Sequence, residues 1–219
     1  MSTPDVVLLD LDGTVVDSYP GIYRCLRFAL PSVGLGDITD EQLRAFLGPP
    51  LKYSLMEVHG KTEEQVAEFL RVYRSVYFGD GEYEFEVFPG MSELIADIAA
   101  SNVILSLATA KPIPSATRVL TQAGLLQHFD FIAGSEMDLS RQDKPSIIAY
   151  AIEHVGRDLT NVHAMMVGDR KEDIAGAKAH GLRTVGATWG YAEPGELASA
   201  DADYLVSTAD ELRALIFPS

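Results

Sequence analysis

A short apolar segment near the start of the chain runs directly into two acidic residues. Residues 6–9 read Val-Val-Leu-Leu, and residues 10–14 read Asp-Leu-Asp-Gly-Thr. Consecutive apolar residues followed by a Gly-Thr turn are typical of a buried strand that ends there. A buried carboxylate without a partner is costly, so Asp10 and Asp12 need a cation, a proton or solvent. An ordinary turn also uses Asp and Gly, so this segment alone does not identify a functional site.

Three later segments place polar side chains at predicted strand ends or helix starts. They are Thr109 after the apolar run 103–108, Lys144 before a helical pattern over 146–154, and Asp169 with Asp173 after the apolar run 163–167. Asp169 and Asp173 are four residues apart, so they can share one face of a helix. In an open parallel sheet, sites lie at the carboxyl ends of the strands. Asp10, Thr109 and Asp169 are therefore predicted to meet in one crevice, with Lys144 entering from a neighbouring loop.

Each of these residues also has an ordinary structural explanation. Thr109 could cap the helix that follows it, Lys144 could be a solvated surface lysine, and Asp173 could be a favourable acid in a first helical turn. Two further cations near the predicted crevice, Lys111 and Arg170, are interpreted as surface residues.

The spacing of these segments predicts two structural units. Asp12 and Thr109 are 97 residues apart, whereas a βαβ unit needs only about 30 residues. The excess has a helical pattern with two capping boxes that begin at Thr39 and Thr62. We predict an α/β fold, with a three-layer Rossmann-like core of mostly parallel sheet over 1–16 and 87–219. A small α-helical domain over 17–86 is inserted after the first strand.

Two patterns in the helical insertion are interpreted as packing. Apolar and aromatic side chains recur at helical spacing over 66–77, which predicts a buried helix face and not a platform for ligand stacking. The single cysteine, Cys25, lies in an apolar helical pattern, so we interpret it as a core residue and not as a nucleophile.

The composition bears on which partners the protein can bind and on the compartment in which it works. The formal net charge is −15, with 47% hydrophobic and 22% charged residues, which disfavours nucleic acid and anionic membranes as partners. One cysteine permits no intrachain disulfide and suggests a reducing compartment. We find no signal peptide and no apolar run of transmembrane length. We expect a cytoplasmic protein, monomeric or homodimeric.

In their order and spacing, the four segments resemble the four motifs of haloacid dehalogenase-like (HAD) phosphohydrolases. The helical insertion resembles the cap of the phosphoglycolate phosphatase-like members. The resemblance implies that Asp10 is the nucleophile that forms an aspartyl-phosphate, a known use of a carboxylate. Asp12 then protonates the leaving alkoxide and later deprotonates the attacking water. Thr109 holds the phosphoryl oxygens, and Lys144 pairs with Asp10 and the transferring group.

The same resemblance implies a magnesium site and no organic cofactor. Asp10 and Asp169 would ligate Mg²⁺ through their carboxylates, and Asp12 through its backbone carbonyl. Asp173 would ligate the ion or orient its ligands. Mg²⁺ suits this role because it takes one or two carboxylates together with substrate oxygens and water.

The substrate expected from the resemblance is a small phosphorylated metabolite: phosphoglycolate-like, a sugar phosphate or a nucleotide. A cap loop with Gly48 and, at the next helix start, Lys52 are candidate substrate contacts, although this loop could simply join two helices. Two other functions use the same intermediate. A sugar phosphomutase returns the phosphoryl group to a bound sugar, and a non-hydrolytic phosphoacceptor of the signalling type retains it.

Overall fold

The computed structural model describes residues 2–47, 51–137, 140–155 and 163–218. The chain divides into two compact units, one of Met1–Asp17 with Val87–Ser219 and one of Ser18–Glu86.

Strands and helices alternate along the larger unit, whereas the smaller unit is helical. The strands are β1 (Val6–Leu9), β2 (Val16–Asp17), β3 (Glu86–Val87), β4 (Ile104–Pro112), β5 (Phe131–Ser135), β6 (Ala164–Gly168), β7 (Arg183–Ala187) and β8 (Tyr204–Val206). The α-helices are α1 (Tyr19–Ala29), α2 (Asp40–Arg44), α3 (Leu51–Tyr53), α4 (Glu63–Tyr77), α5 (Met91–Ala99), α6 (Ile113–Gln122), α7 (Lys144–His154), α8 (Lys171–Lys178), α9 (Glu196–Ser199) and α10 (Ala209–Ile216). A π-helix, Ser54–Val58, continues directly from α3.

Six of the described strands form one parallel sheet in the order β5-β4-β1-β6-β7-β8. β1 lies at its centre, with Val6 opposite Ile104 of β4 and Ala164 of β6. A parallel sheet is covered by helices on both faces, so its central strand is apolar throughout. All four residues of β1 are buried accordingly. The predicted α/β fold with a mostly parallel sheet is confirmed.

The alternating side chains of β1 supply the core of the larger unit. Val6 and Leu8 pack in one cluster with Met166 of β6 and with Ile147 and Ile148 of α7. Because successive strand residues point to opposite faces, Val7 and Leu9 are directed to the other side of the sheet. This packing fixes the direction in which β1 delivers the acidic residues that follow it.

The helical unit has a hydrophobic cluster of its own. Phe69, Tyr73 and Tyr77 line one face of α4 and stack in series, with ring centroids 5.8 and 5.1 Å apart. Cys25 is buried in the same cluster as a free thiol. The interpretation of both features as packing is confirmed. Both predicted capping boxes also form, at the starts of α2 and α4.

The shortest elements were not predicted from the sequence. β2 and β3 have two residues each and α9 has four, which is too short for any periodicity to be read. Within the predicted helical insertion, residues 51–58 form α3 followed by the π-helix. Among the described helices, none is both long enough and apolar enough to cross a membrane.

Candidate active site

Three of the predicted site residues lie in, or directly after, three neighbouring strands of the sheet. Asp10 comes directly after β1, Thr109 lies in β4, and Asp169 comes directly after β6. β4 and β6 flank β1 on its two sides. The carboxyl ends of these parallel strands therefore bring three distant parts of the sequence to one edge, where open α/β sheets place their sites.

Lys144 joins two acidic residues of this edge. It is the first residue of α7, and its Nζ lies 2.7 Å from Asp10 Oδ1 and 2.5 Å from Asp173 Oδ1. The same Nζ donates a hydrogen bond to the carbonyl oxygen of Ala108, 2.9 Å away. Lys144 is only 7% exposed, so the expectation of a solvated lysine does not describe it. The structure brings Asp10, Lys144 and Asp173 into one buried cluster.

Burial dominates the electrostatics of this cluster. Desolvation raises the pKa of Asp10 to about 6, with Asp173 and Asp12 adding to the effect and Lys144 opposing it. The pKa of Asp169 is also raised, by burial first and then by the charges of Asp173 and Asp10. Burial disfavours the Lys144 cation, but Asp10 and Asp173 outweigh that effect and raise the pKa of Lys144. The carboxylates therefore call for positive charge beyond that of Lys144.

Asp169 is held by backbone and side-chain donors from two loops. Its Oδ2 accepts a hydrogen bond from the Tyr191 amide at 2.7 Å, and its Oδ1 accepts one from Thr14 Oγ1 at 3.3 Å. Two glycines make room for it: a Cβ would lie 2.2 Å from Asp169 Oδ2 at Gly13 and 2.5 Å from it at Gly190. Both loops therefore approach the carboxylate more closely than any side chain would allow.

Asp173 combines its ordinary structural role with membership of the cluster. It is the third residue of α8, and its Oδ2 accepts a hydrogen bond from the Arg170 amide at 3.0 Å. That contact caps the helix, as expected of an acid in a first turn. Its other oxygen faces Lys144, so one carboxylate serves both purposes.

The interpretation of Arg170 as a surface residue is wrong. Its side chain is 13% exposed and pairs with Glu196, whose Oε1 lies 2.8 Å from Arg170 Nε. The same oxygen accepts a hydrogen bond from the Lys171 amide at 2.9 Å. This pair fixes the turn between Asp169 and Asp173, because both of its anchoring contacts fall inside that turn.

The interpretation of Lys111 as a surface residue is also wrong. Its side chain is 4% exposed, and its Nζ donates to both carboxylate oxygens of Asp12, at 2.8 and 2.9 Å. Thr109 is buried within β4 and its Oγ1 accepts from the Lys111 amide at 3.2 Å. The residue that precedes the next helix as its N-cap is Pro112, so Thr109 is not a helix cap.

The acidic cluster fits a divalent cation. Asp10, Asp169 and Asp173 are all buried, and one carboxylate oxygen of each lies within 4.8 Å of the others. Asp10 Oδ1 and Asp173 Oδ1 contact the Lys144 ammonium but have no aligned hydrogen-bond donor among the described residues. If all three carboxylates are ionised, the single positive charge of Lys144 leaves the group with two net negative charges. Oxygen ligands with this charge suit a hard cation such as Mg²⁺.

Of the two residues of the helical unit that are predicted to contact the substrate, the structure describes only Lys52. Gly48 lies outside the described residues. Lys52, in α3, is about half exposed and pairs with Glu63 at 3.1 Å. Its role as a substrate contact remains a prediction.

Sequence reasoning missed the segment 189–191 as well as Lys111. Trp189 donates its indole N–H to the carbonyl oxygen of Thr14 at 3.1 Å, and Tyr191 donates its hydroxyl to Asp17 at 2.9 Å. The segment follows β7, which ends at Ala187. The only signal available was the position of these residues at another strand end of the same sheet.

Comparison with known proteins agrees with this geometry. Residues 7–187 match the family model of the haloacid dehalogenase-like hydrolases. The tyrosine-protein kinase PtkA of Mycobacterium tuberculosis is 35% identical over 96% of this chain and 72% of its own length. A 5′-nucleotidase of Pseudomonas aeruginosa is 32% identical over 96% of this chain and 94% of its own.

A solved structure shares the fold of this chain. The crystal structure of a predicted phosphatase from Clostridium acetobutylicum superimposes with a TM-score of 0.91 and 33% identity. The match covers 98% of this chain and 99% of that one.

Proposed function

The chain belongs to the haloacid dehalogenase-like hydrolase family, as an enzyme acting on phosphoric monoesters, and from that premise we propose a Mg²⁺-dependent mechanism through an aspartyl-phosphate on Asp10. The observation that carries the proposal is the buried cluster at the end of β1. There Asp10 contacts the Lys144 ammonium at 2.7 Å, beside Asp173 and Asp169. A phosphomonoester dianion repels a carboxylate, so attack by Asp10 requires nearby positive charge that offsets the negative charge of both partners.

In the first step, Asp10 Oδ attacks phosphorus and forms a P–O bond. The bond from phosphorus to the ester oxygen breaks, and its electron pair stays on that oxygen. Asp12 gives its proton to this oxygen, which leaves as the alcohol. Lys144 offsets negative charge on Asp10 and on the transferring group, and Thr109 orients phosphoryl oxygens.

In the second step, water attacks the phosphorus of the aspartyl-phosphate. The Asp12 carboxylate takes a proton from this water, and the bond between phosphorus and Asp10 breaks with its electrons returning to the carboxylate. Inorganic phosphate leaves, and both aspartates regain their starting forms. Splitting one difficult displacement into two steps is the advantage of a covalent intermediate.

Asp10, Asp169 and Asp173 would hold Mg²⁺ through carboxylates, and Asp12 through its backbone carbonyl. The bound ion would neutralise charge that develops on the phosphoryl oxygens. Support comes from the three buried carboxylates described above, one oxygen of each lying within 4.8 Å of the others.

We propose a small phosphorylated metabolite as the substrate, with the helical unit 18–86 acting as the cap that selects the leaving group. The relatives differ in the substrates that their names state, so phosphoglycolate-like esters, sugar phosphates and nucleotides all stay in the proposal. We also propose that the enzyme is cytoplasmic, because Cys25 is a free, buried thiol, as is typical of a reducing compartment. We propose that it is monomeric or homodimeric.

The test is phosphate release from a panel of small phosphate esters, with and without Mg²⁺. Wild type is compared with Asp10→Asn and with Asp201→Asn, a control that alters an exposed aspartate paired with Lys178. We expect Mg²⁺-dependent release that is lost in Asp10→Asn and kept in Asp201→Asn.

Other outcomes would reassign the chain. Phosphorylation of the protein by a sugar bisphosphate without net release would indicate a phosphomutase. A stable phosphoprotein that is not hydrolysed would indicate a phosphoacceptor. Undiminished release by Asp10→Asn would exclude Asp10 as the nucleophile.

A further inference from the structure

A second buried lysine, Lys111, contacts the aspartate that moves the proton in the proposed reaction. Its Nζ approaches both oxygens of Asp12, at 2.8 and 2.9 Å. The lysine side chain is 4% exposed, whereas that of Asp12 is 22% exposed. A buried lysine is uncommon unless it is paired. Lys111 is thus the more buried partner, and the carboxyl group of Asp12 remains accessible to solvent.

The backbone around Lys111 is shaped to place the side chain there. Thr109 pairs with Gly134 of β5, and the next pair is Pro112 with Ser135, so β4 carries an irregularity between Thr109 and Pro112, the stretch that contains Lys111. Such bulges re-aim a side chain and are common beside active sites. A Cβ at Gly134 would lie 2.7 Å from the carbonyl oxygen of Lys111. The neighbouring strand therefore requires a glycine for this path of the chain.

The two lysines of the site have different partners. Lys144 contacts Asp10 and Asp173, while Lys111 contacts Asp12 through both carboxylate oxygens. Contact with two oxygens at once restricts rotation of the carboxyl group more than a single hydrogen bond does. Lys111 is thus suited to orient Asp12.

We propose that Lys111 is a positioning residue that holds the Asp12 carboxyl group where its proton is exchanged. The inference rests on the proposed function, because Asp12 has a proton to move only if the chain cleaves phosphate esters. In that reaction Asp12 loses a proton to the ester oxygen as the P–O bond breaks and regains one from the attacking water. Lys111 acts only through the orientation of Asp12.

The test compares two leaving groups in Lys111→Met. An alkoxide needs a proton as it leaves, whereas 2,4-dinitrophenolate leaves as a stable anion. We measure kcat/KM for 2,4-dinitrophenyl phosphate and for the alkyl phosphate that wild type hydrolyses fastest. We expect a loss on the order of 100-fold for the alkyl ester and a much smaller loss for the dinitrophenyl ester.

A double-mutant cycle supplies the second readout. In an Asp12→Ala background, Lys111→Met should cost little further activity toward the alkyl ester, because the residue through which it acts is gone. Lys111→Arg should recover part of the activity, since it keeps a charge that can contact two oxygens. Lys178→Met is the matched control, because Lys178 also pairs with an aspartate, Asp201, at 2.7 Å. Lys178 is the last residue of α8, at the opposite end of that helix from Asp173.

The inference is overturned if Lys111→Met lowers kcat/KM equally for both esters, if only KM changes, or if the two substitutions are additive. Lys111→Gln repeats the comparison if the Met variant does not fold by circular dichroism. Wild type that releases no phosphate from either ester, or release that survives Asp10→Asn, overturns the proposed function and the inference with it. Normal Asp10-dependent turnover with equal losses for both esters overturns only the role of Lys111.

Discussion

Gly13 and Asp169 fit each other so closely that a single methyl group at position 13 would overlap the carboxylate. The added Cβ would lie 2.2 Å from Asp169 Oδ2, and Gly13 has a φ of +86°. Gly13 is the fourth residue of the apolar-to-acidic segment 10–14, and Asp169 lies more than 150 residues further along. The turn after β1 thus serves a carboxylate delivered by another strand.

We expect Gly13→Ala to destabilise the protein more than Gly181→Ala does. Both glycines have positive φ, but nothing lies within 4 Å of a Cβ at Gly181. The control should cost about 1 kcal/mol of unfolding free energy from backbone strain, and Gly13→Ala about 1–3 kcal/mol more from overlap with Asp169. Urea denaturation measures both, and phosphatase activity should fall only in Gly13→Ala. Equal losses of stability would show that the overlap relaxes freely.

We expect Lys144→Met to destabilise the metal-free protein by about 3–5 kcal/mol, because it leaves buried carboxylates without their cation. Lys178→Met removes a pair whose lysine and aspartate side chains are 36% and 95% exposed, so it should cost less than about 1 kcal/mol. Urea denaturation in EDTA distinguishes them. Added Mg²⁺ should restore part of the loss in Lys144→Met, and a loss no greater than that of the control would contradict the buried cluster.

The stability of the metal-free protein should depend on pH through Asp10. Its pKa is raised from 3.8 to about 6, so between these values the folded state binds a proton that the unfolded state lacks. Stability therefore falls as pH rises from about 4 to 6, by about 3 kcal/mol in total, and this contribution is constant above that window. Asp10→Asn should lack this slope.

The measurement is urea denaturation of wild type and Asp10→Asn in EDTA between pH 4.5 and 8. The quantity of interest is the difference between the two proteins at each pH, because other groups titrate in both. Saturating Mg²⁺ should flatten or reverse the slope, since a cation favours the ionised carboxylate. A difference that does not change with pH would show that Asp10 stays ionised throughout.

We expect Glu196→Gln to lower the free energy of unfolding by about 2 kcal/mol, because it weakens the hydrogen bonds to the charged Arg170 and to the Lys171 amide. Asp210→Asn is the control, because Asp210 is 94% exposed and lies 4.0 Å from Arg213; it should cost less than about 0.5 kcal/mol. Thermal unfolding monitored by circular dichroism compares the two at pH 7. The pKa of Glu196 is lowered, since contacts with Arg170 and Lys171 outweigh burial. The difference between the variants should therefore shrink as pH falls below the usual glutamate value.

The acidic part of the site could be predicted because each residue follows a recognisable apolar strand or opens a helix. The strand ends identify Asp10, Asp169 and Thr109, and the parallel sheet brings them together. Lys111 could not be assigned in this way. Its partner Asp12 is 99 residues away, and its burial depends on an irregularity in β4 that leaves no pattern in the sequence. A lysine at a strand end is more often solvated than buried, so only the three-dimensional contact reveals it.

The central position of β1 has a consequence for how the chain acquires its shape. Val6 pairs with Ile104 and Ala164, which lie 98 and 158 positions further along the chain. Neither neighbour of β1 therefore exists until much of the polypeptide has been synthesised. Such distant pairings slow folding, and the apolar segment 6–9 remains available to other chains meanwhile. Recovery of enzymatic turnover during refolding should thus be a late event, because the nucleophile becomes competent only when both flanking strands have docked.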